Sequence, residues 1–292
     1  MNLIDAHVHV WDLKRLRYPW LQQVPRINRS YLLEDYDRAL GGRSVAAMVF
    51  VQCECDPEQH LEELAWVQSL ADADPRLQAI VPWAPLEAGD HCEAELARMA
   101  ADSRVKGVRR IIQFEPDPDF CLKPNFIRGV QLLGRHGLHF EITISPLHFP
   151  RVMKVIAASP GTRFILDHIG NPDIAAGPAA LEPWRTHLRE FARSGPHFCK
   201  FSNLVCNASL DTWTLDDLRP FAEVVLETFG PERLIWGSDW PHMLRSSDYA
   251  RWLDAAETLT SHLSAADRRR IFQDNALRFY RLDLSIPTPH ET

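Results

Sequence analysis

The sequence lacks the features that mark several classes of protein. No apolar run approaches the roughly 20 residues that a membrane-spanning helix needs. The first residues carry no basic segment followed by a long apolar stretch, so we expect a cytoplasmic protein without a signal peptide. An excess of positive charge is also missing, because the formal net charge is -7 at pH 7. Nucleic acids and anionic membranes favour a basic surface, so neither is an expected partner.

Cysteine is scarce and scattered. The six residues are Cys53, Cys55, Cys92, Cys121, Cys199 and Cys206. A chain of 292 residues can bury a large core and does not need disulfides, so we expect reduced thiols. Cys53 and Cys55 lie two residues apart, but no second Cys or His pair follows at zinc-finger spacing. Buried thiols are the favoured interpretation, and a metal site there is the alternative.

Internal repeats, low-complexity tracts and linkers are absent as well, which favours one domain over residues 1–292. No Gly-x-Gly-x-x-Gly follows an apolar segment. This argues against an open doubly wound sheet that binds a dinucleotide, and we expect no organic cofactor. The composition leaves open whether the chain forms a homo-oligomer.

Eight short apolar segments rich in β-branched residues predict strands. They are residues 3–4, 45–52, 77–82, 105–112, 138–144, 163–166, 197–201 and 233–236. Helical periodicity occupies most of the gaps between them, at residues 57–70, 126–133, 152–157, 184–192 and 218–229, and again at 268–280. This alternation predicts an α/β fold, specifically a closed parallel (β/α)8 or TIM barrel with its helices outside. We expect the tail to fray at Pro287 and Pro289.

The gap between the first two strands breaks this rhythm. Residues 10–44 form a long aromatic segment with little periodicity, which contains Trp20 within Tyr18-Pro19-Trp20-Leu21. Such loops often cover or bind a ligand. We expect residues 18–28 to contact substrate through Trp20, and a structural arm on the barrel rim is the alternative.

His7 and His9 form the most specific local motif, Asp5-Ala6-His7-Val8-His9. Residues two apart on a strand point to the same side, so both imidazoles project together from the end of the first strand. Two converging imidazoles suit a metal or an acid/base pair. Two histidines that only form hydrogen bonds at a strand end are the alternative.

Two further strand ends carry polar side chains. Asp239 follows the eighth strand in Gly237-Ser238-Asp239, where its carboxylate could ligate a metal, accept a proton from water or cap the next helix. His168 follows the sixth strand, where it could bind a metal or polarise a substrate carbonyl, and Asp167 could orient an imidazole. In a closed barrel the eighth strand neighbours the first, which favours a catalytic role for Asp239. His168 is the second catalytic candidate, and a structural histidine is the alternative there.

Together these residues resemble the amidohydrolase superfamily. The resemblance spans about residues 3 to 282. The additional motifs that carry it are Trp11, Tyr18-Pro19-Trp20-Leu21, Gly107-Val108-Arg109 and Gly237-Ser238-Asp239-Trp240-Pro241. They are similar to a branch of lactonases that act on sugar-acid lactones and on 2-pyrone-4,6-dicarboxylate. The resemblance implies a hydrolase that opens a lactone, such as L-fucono- or L-rhamnonolactone, and a small-molecule substrate.

The resemblance also defines what is missing. Binuclear members carry a bridging Lys at strand four, whereas Lys106 here lies on the opposite face from Arg109. We therefore expect no binuclear centre. One divalent ion, with zinc favoured, would be bound by His7, His9 and Asp239. Glu141 on strand five would complete this site or bind a substrate hydroxyl, because a buried carboxylate needs a partner. Hydrolysis without a metal stays open.

Further side chains are predicted to contact the substrate. They are Trp20, Arg109, Lys200, Glu141 and Trp240. In the proposed reaction, Asp239 removes a proton from water, the lactone carbonyl is attacked, and His168 or a strand cation stabilises the oxyanion. The alternatives are a single-metal decarboxylase of the same superfamily, an amide or phosphoester hydrolase, and a barrel that binds a ligand without catalysis.

Overall fold

Eight parallel strands form the centre of the protein in the computed structural model, which describes residues 2–285. Pro287 and Pro289 lie outside the described residues. The strands are β1 (Ile4–Val8), β2 (Ala47–Val51), β3 (Leu77–Val81), β4 (Gly107–Arg109), β5 (His139–Ile142), β6 (Arg163–Leu166), β7 (Phe198–Phe201) and β8 (Leu234–Trp236). Every strand overlaps a segment predicted from the sequence. β1 runs further than expected and β4 is shorter.

The strands pair in chain order as two parallel sheets, β1-β2-β3 and β4-β5-β6-β7-β8. Two isolated parallel bridges join the sheets at both junctions: Ile80 pairs with Val105, and Val8 pairs with Trp240. Since all strands run in the same direction, their C-terminal ends meet at one end of the molecule. Polar residues that follow these strands therefore come close together although they are far apart in the sequence.

Helices occupy the connections between strands. They are α1 (Leu33–Leu40), α2 (His60–Ala73), α3 (Glu93–Ala101), α4 (Pro124–Arg135), α5 (Phe149–Ala158), α6 (Trp184–Arg193), α7 (Leu204–Asn207), α8 (Leu215–Phe229), α9 (Tyr249–Leu259), α10 (Ala265–Arg269) and α11 (Asn275–Tyr280). The last two are joined by a π-helical segment, Arg270–Asp274. Within the described residues, none of these helices combines the length and hydropathy needed to cross a membrane.

The segment 10–44 is more regular than the sequence predicts. It contains short 3-10 turns at Pro19–Gln23 and Pro25–Ile27, and then α1. Tyr36 and Leu40, four residues apart, are the buried side of α1, and Gly41 ends it with φ of 57°. Only these two residues of α1 are buried, so the sequence shows little helical periodicity in this segment. The expectation of a loop without helix was wrong here, and α3 and α9 were also not predicted.

Apolar residues from both sheets share one interior cluster. It joins aliphatic residues of β1, β2, β3, β6 and β8 with three residues of α11. The strand residues are Ile4, Ala6, Ala47, Val49, Val51, Ala79, Val81, Ile165 and Ile235, and the helix residues are Ala276, Phe279 and Tyr280. A larger cluster fills the space between strands and helices and buries Trp11, Trp184, Trp236, Trp240 and Trp252. The six cysteines all have free thiols, as expected, and five of them are buried.

Candidate active site

The ends of β1 and β8 lie against each other because of Asp5 and Gly237. The buried Asp5 carboxylate accepts the backbone N–H of Ser238 at 2.8 Å and the hydroxyls of Tyr36 and Tyr249 at 3.0 Å each. A Cβ atom at position 237 would lie 2.7 Å from the Cβ of His7, so only glycine allows this approach. Asp5 and Gly237 therefore bring the β1 histidines to the residues that follow β8.

His9 and Asp239 meet at this junction. The Nδ1 of His9 lies 2.6 Å from the Val51 carbonyl oxygen, and its Nε2 lies 3.1 Å from Asp239 Oδ1. A carbonyl can only accept a hydrogen bond, so the proton of the neutral ring is on Nδ1. The Nε2 lone pair then faces a carboxylate oxygen. Two such acceptors at this distance are complementary only to a cation between them, either a proton or a metal ion.

His7 completes the group. Its Nε2 lies 3.6 Å from Asp239 Oδ1, and the Arg109 guanidinium lies 3.3 Å from the same nitrogen. Donor atoms of His7, His9 and Asp239 all lie within 4.8 Å of one another, as do those of His7, Asp167 and His168. The sequence prediction that His7, His9 and Asp239 come together agrees with this geometry.

His168 lies at the same site, after β6. Its Nδ1 is 2.8 Å from the Ser202 hydroxyl and its Nε2 is 4.0 Å from Asp239 Oδ1. His168 has a φ of 52°, a backbone conformation that costs energy for a residue other than glycine. Burial lowers the pKa of His168 to about 3, so the ring is neutral near pH 7. A neutral imidazole at this position can donate a hydrogen bond to a developing oxyanion.

Asp239 does not cap a helix. The turn that follows it, His242–Arg245, begins after Pro241 and has no side-chain cap. Instead, Asp239 Oδ2 lies 2.9 Å from Nδ1 of His242, whose Nε2 faces the Arg245 guanidinium at 2.9 Å. The guanidinium only donates, so the His242 proton is on Nδ1 and points to Asp239. Our sequence reasoning did not assign His242, although it stands only three residues after Asp239.

The charge of Asp239 is stabilised by these neighbours. Burial alone would raise the pKa of the carboxyl, but His168, His242 and His9 hold it well below its ordinary value. Burial lowers the pKa of His7 far below its usual range, and the nearby Lys200 ammonium contributes to this shift. Near pH 7 the site therefore holds an ionised carboxylate beside the neutral imidazoles of His7, His9 and His168, a set of groups that can accept a proton or bind a cation.

Lys200 and Glu141 lie beneath this site and do not line the cavity. The fully buried Lys200 Nζ contacts Glu141 Oε2 at 2.5 Å, His7 Nδ1 at 3.0 Å and Asp167 Oδ1 at 3.2 Å. The other Glu141 oxygen accepts the Tyr280 hydroxyl at 2.7 Å. The structure therefore does not bring Glu141 into the His7, His9 and Asp239 group. Lys200 points inward as expected, but its partners are protein side chains.

A cavity of about 480 Å³ opens above the histidines. Of the residues predicted to bind substrate, Trp20 and Arg109 line it, whereas Trp240 is buried against Tyr31 and Tyr36 and does not. Sequence reasoning missed other polar side chains that line the cavity: Gln23, Glu54, Gln113, Asn171, Asn203, His242 and Arg245. Asn171, Asn203 and Glu54 share a positive φ, which sequence periodicity does not reveal.

Comparison with known proteins agrees with this geometry. The amidohydrolase family model matches residues 4–282. An L-fucono-1,5-lactonase from Burkholderia ambifaria is 30% identical, with 96% of each chain covered. An L-rhamnono-gamma-lactonase from Scheffersomyces stipitis is 23% identical, covering 96% of this chain and 99% of its own. A zinc-bound amidohydrolase structure from Burkholderia multivorans has a TM-score of 0.86 at 30% identity, covering 97% of this chain and 100% of that one. The family match over residues 4–282 and the 30% identical relative show that this chain belongs to the amidohydrolase family.

Proposed function

We propose that the protein is a lactonase that hydrolyses the cyclic ester of a sugar acid. The observation that carries this proposal is the buried, ionised Asp239, whose two oxygens face His9 and His242 at the floor of a cavity large enough for a small ligand. The similarity to an L-fucono-1,5-lactonase and an L-rhamnono-gamma-lactonase over nearly the whole chain supports the choice of a sugar-acid lactone.

The proposed reaction uses Asp239 twice. Asp239 accepts a proton from a water molecule as the water oxygen bonds to the lactone carbonyl carbon. The tetrahedral intermediate then collapses, and the bond between the acyl carbon and the ring oxygen breaks. Asp239 returns the proton to this oxygen, so that the product is a hydroxy acid and the carboxylate is regenerated. Lactones need less activation than amides, which suits a site with one metal ion or none.

The oxyanion needs donors that are in place before the reaction begins. His168, neutral and held by Ser202, is one of them. Arg109 is the second, because its guanidinium lines the cavity and its buried Nε has no hydrogen-bond partner among residues 2–285. Arg109 is held in place by its contact to the Gln52 carbonyl, so little reorganisation is required when charge develops on the substrate.

The residues at the floor of the cavity fit one divalent metal ion. Tetrahedral zinc ligands at about 2.0–2.1 Å from the ion lie roughly 3.4 Å from one another. The distances from Asp239 Oδ1 to the His9 and His7 nitrogens, 3.1 and 3.6 Å, bracket that value. His7, His9 and Asp239 would hold the ion. Because His7 would need its proton on Nδ1, the contacts of its ring with Arg109 and with the Lys200 ammonium would both have to rearrange. A zinc ion bound there would supply Lewis acidity and lower the pKa of a coordinated water.

We infer that the eight strands close into one barrel that forms a single domain over the described residues. The bridges Ile80–Val105 and Val8–Trp240 support this inference, because they occur at both junctions between the two sheets. The interior apolar cluster shared by both sheets supports it further. A closed barrel would fix β1 beside β8, which is the arrangement that Asp239 needs for its contact with His9.

The test is a screen of lactones with a pH indicator, run with zinc and with chelator. The panel contains L-fucono-1,5-lactone, L-rhamnono-1,4-lactone and 2-pyrone-4,6-dicarboxylate. Acid release from a sugar-acid lactone supports the proposal. Release of carbon dioxide from an aromatic acid, without lactone turnover, would instead identify a decarboxylase. Tight ligand binding without any turnover would instead identify a protein that binds its ligand without catalysis.

A further inference from the structure

Glu54 occupies an unusual position on the cavity wall. It lies three residues after β2, lines the cavity, and has a φ of 52°. A glutamate gains nothing from the left-handed backbone region, where an L side chain costs energy. This strained backbone marks a place where side-chain direction matters.

The side chain of Gln52 fixes this direction. The Glu54 backbone N–H donates to Gln52 Oε1 at 2.5 Å, and Gln52 Nε2 donates to Glu54 Oε1 at 2.6 Å. Gln52 is itself fully buried, with its backbone N–H bonded to the Val81 carbonyl. The Glu54 carboxylate is therefore held at the cavity wall before any ligand arrives, which lowers the entropy cost of binding.

Trp20 is anchored at the peptide bond that joins Cys53 to Glu54. Its indole Nε1 donates to the carbonyl of Cys53 at 2.9 Å, so it is tied to the residue that precedes Glu54. Its ring packs against Trp11 at 5.6 Å between centroids, and it lines the same cavity. An apolar aromatic face beside a fixed carboxylate matches a polyhydroxylated ring, which has apolar C–H faces and hydroxyl edges.

The guanidinium groups of both cavity arginines already contact protein acceptors. Arg245 faces His242 Nε2, and Arg109 contacts the Gln52 carbonyl and His7. These contacts leave the two positive charges in place, but Glu54 adds a second carboxylate to that of Asp239 on the cavity surface, and a substrate with several carboxylates would meet both. Like charges at short range disfavour such a ligand.

We propose that Glu54, held by Gln52 and flanked by Trp20, is the specificity-determining residue that selects neutral polyhydroxylated lactones over anionic ones. This inference rests on the proposed lactonase function. The carboxylate accepts hydrogen bonds from substrate hydroxyls, and hydrogen bonds to a charged group are about twice as strong as neutral ones. The same negative charge repels a dicarboxylated lactone.

The experiment compares kcat/KM of the wild type and Glu54→Gln on three substrates. They are L-fucono-1,5-lactone, δ-valerolactone, which carries no hydroxyl, and the dianion 2-pyrone-4,6-dicarboxylate. We expect the ratio of kcat/KM for the hydroxylated lactone to that for δ-valerolactone to fall about 10- to 100-fold, since hydrogen bonds to charged groups contribute about 1.5–3 kcal/mol. The value for the dianion should rise relative to δ-valerolactone.

The matched control is Glu58→Gln, an exposed glutamate in the same connection, which should leave all ratios unchanged. An unchanged ratio in Glu54→Gln, or a parallel loss on all three lactones, would overturn the inference while the lactonase function stands. So would a wild type that prefers the dianion. A folded wild type without activity on any lactone would remove the proposed function and this inference with it. Thermal unfolding of each variant checks that it is folded.

Discussion

Asp239 illustrates how one residue acquires a chemical role from its neighbours. A carboxylate after a short strand most often caps the next helix, and the sequence alone allows that role. Here the two oxygens face the imidazole rings of His9 and His242, and neither caps the backbone of the following turn. Its φ of 61° holds the side chain in this direction. The backbone strain is consistent with a functional constraint at this position.

Asp239→Asn should abolish most of the turnover without unfolding the protein. General-base roles contribute roughly 10²–10⁴-fold, and the variant preserves the shape of the side chain while removing the base. If Asp239 were structural, activity would survive, because Asn also serves as a cap. The measurements are kcat and the melting temperature. Asp211→Asn, an exposed aspartate, is the control, and near-wild-type turnover in Asp239→Asn would refute the mechanism.

Glu63 is a second residue whose environment changes its chemistry. It lies on the buried side of α2 with only 2% of its surface exposed, and its carboxylate accepts the Cys53 N–H at 3.3 Å. Burial raises the pKa of Glu63 from 4.5 to about 7, and the nearby Glu54 also contributes to this shift. Between these two pH values the folded protein binds a proton that the unfolded chain has lost.

Stability should therefore fall as the pH rises from about 5 to about 8, and Glu63→Gln should remove much of that fall. Each pKa unit corresponds to about 1.4 kcal/mol, so the difference in the free energy of unfolding is roughly 3 kcal/mol. Urea denaturation at both pH values measures it. Glu62→Gln, an exposed neighbour on the same helix, should behave like the wild type. An equal pH dependence in Glu63→Gln would contradict the assignment.

At the scale of elements, β5, β6 and β7 are joined beneath the cavity by a buried ionic cluster. Lys200 on β7 contacts Glu141 on β5 and Asp167 directly after β6. Lys200 and His139 hold the pKa of Glu141 below its ordinary value although burial alone would raise it. This cluster also reaches the site, because the Lys200 ammonium faces Nδ1 of His7. The strands and the active-site floor therefore depend on the same contacts.

Lys200→Met should destabilise the protein strongly, because it leaves two buried carboxyl groups without their cation. Breaking a buried ion pair from one side costs about 3–5 kcal/mol. The combined variant Lys200→Met with Glu141→Gln should recover part of the loss, since less charge is left unpaired. Chemical denaturation measures both. Lys154→Met, exposed on α5, is the control, and a Lys200 variant as stable as that control would show that the cluster contributes little.

At the scale of the whole molecule, the site exists because the first and last strands meet. His7 and Asp239 are separated by most of the chain, yet the Asp239 N–H donates to the His7 carbonyl at 2.9 Å. The contact links the beginning of the chain to the residues after its last strand. The candidate metal ligands His7, His9 and Asp239 therefore come together only in the folded protein. Metal binding and folding should for this reason be thermodynamically linked.

We expect at most one equivalent of zinc per chain. The motivation is that the two candidate groups within residues 2–285 share His7: one is His7, His9 and Asp239, and the other is His7, Asp167 and His168. Lys106 is directed away from them, toward the Arg281 carbonyl. Elemental analysis after dialysis against zinc should give one equivalent for the wild type and for His91→Ala, an exposed control, and none for His9→Ala. Two equivalents would contradict the proposal. Full activity in chelator with no bound metal would assign His7 and His9 to substrate binding.

The sequence by itself determined the order of the eight strands and of most of the helices between them, because alternating short apolar segments and amphipathic helices require a layered α/β arrangement. It also predicted that His7, His9, His168 and Asp239 lie close together, because each follows or ends a strand and parallel strands end together. These predictions depend on local periodicity, which the sequence alone contains and which does not require knowledge of tertiary contacts.

Only the tertiary structure decided how deep each inward side chain lies. Alternation gives the face of a strand but not its stagger against neighbouring strands, so Lys200 and Glu141 were expected in the cavity and lie below it. Glu54 and His242 lie in the connections that follow strands, and the position of each side chain depends on its own contacts. Gln52 holds Glu54, whereas Asp239 and Arg245 hold His242. Such contacts join residues without a fixed spacing, which is the physical reason why no sequence pattern revealed them.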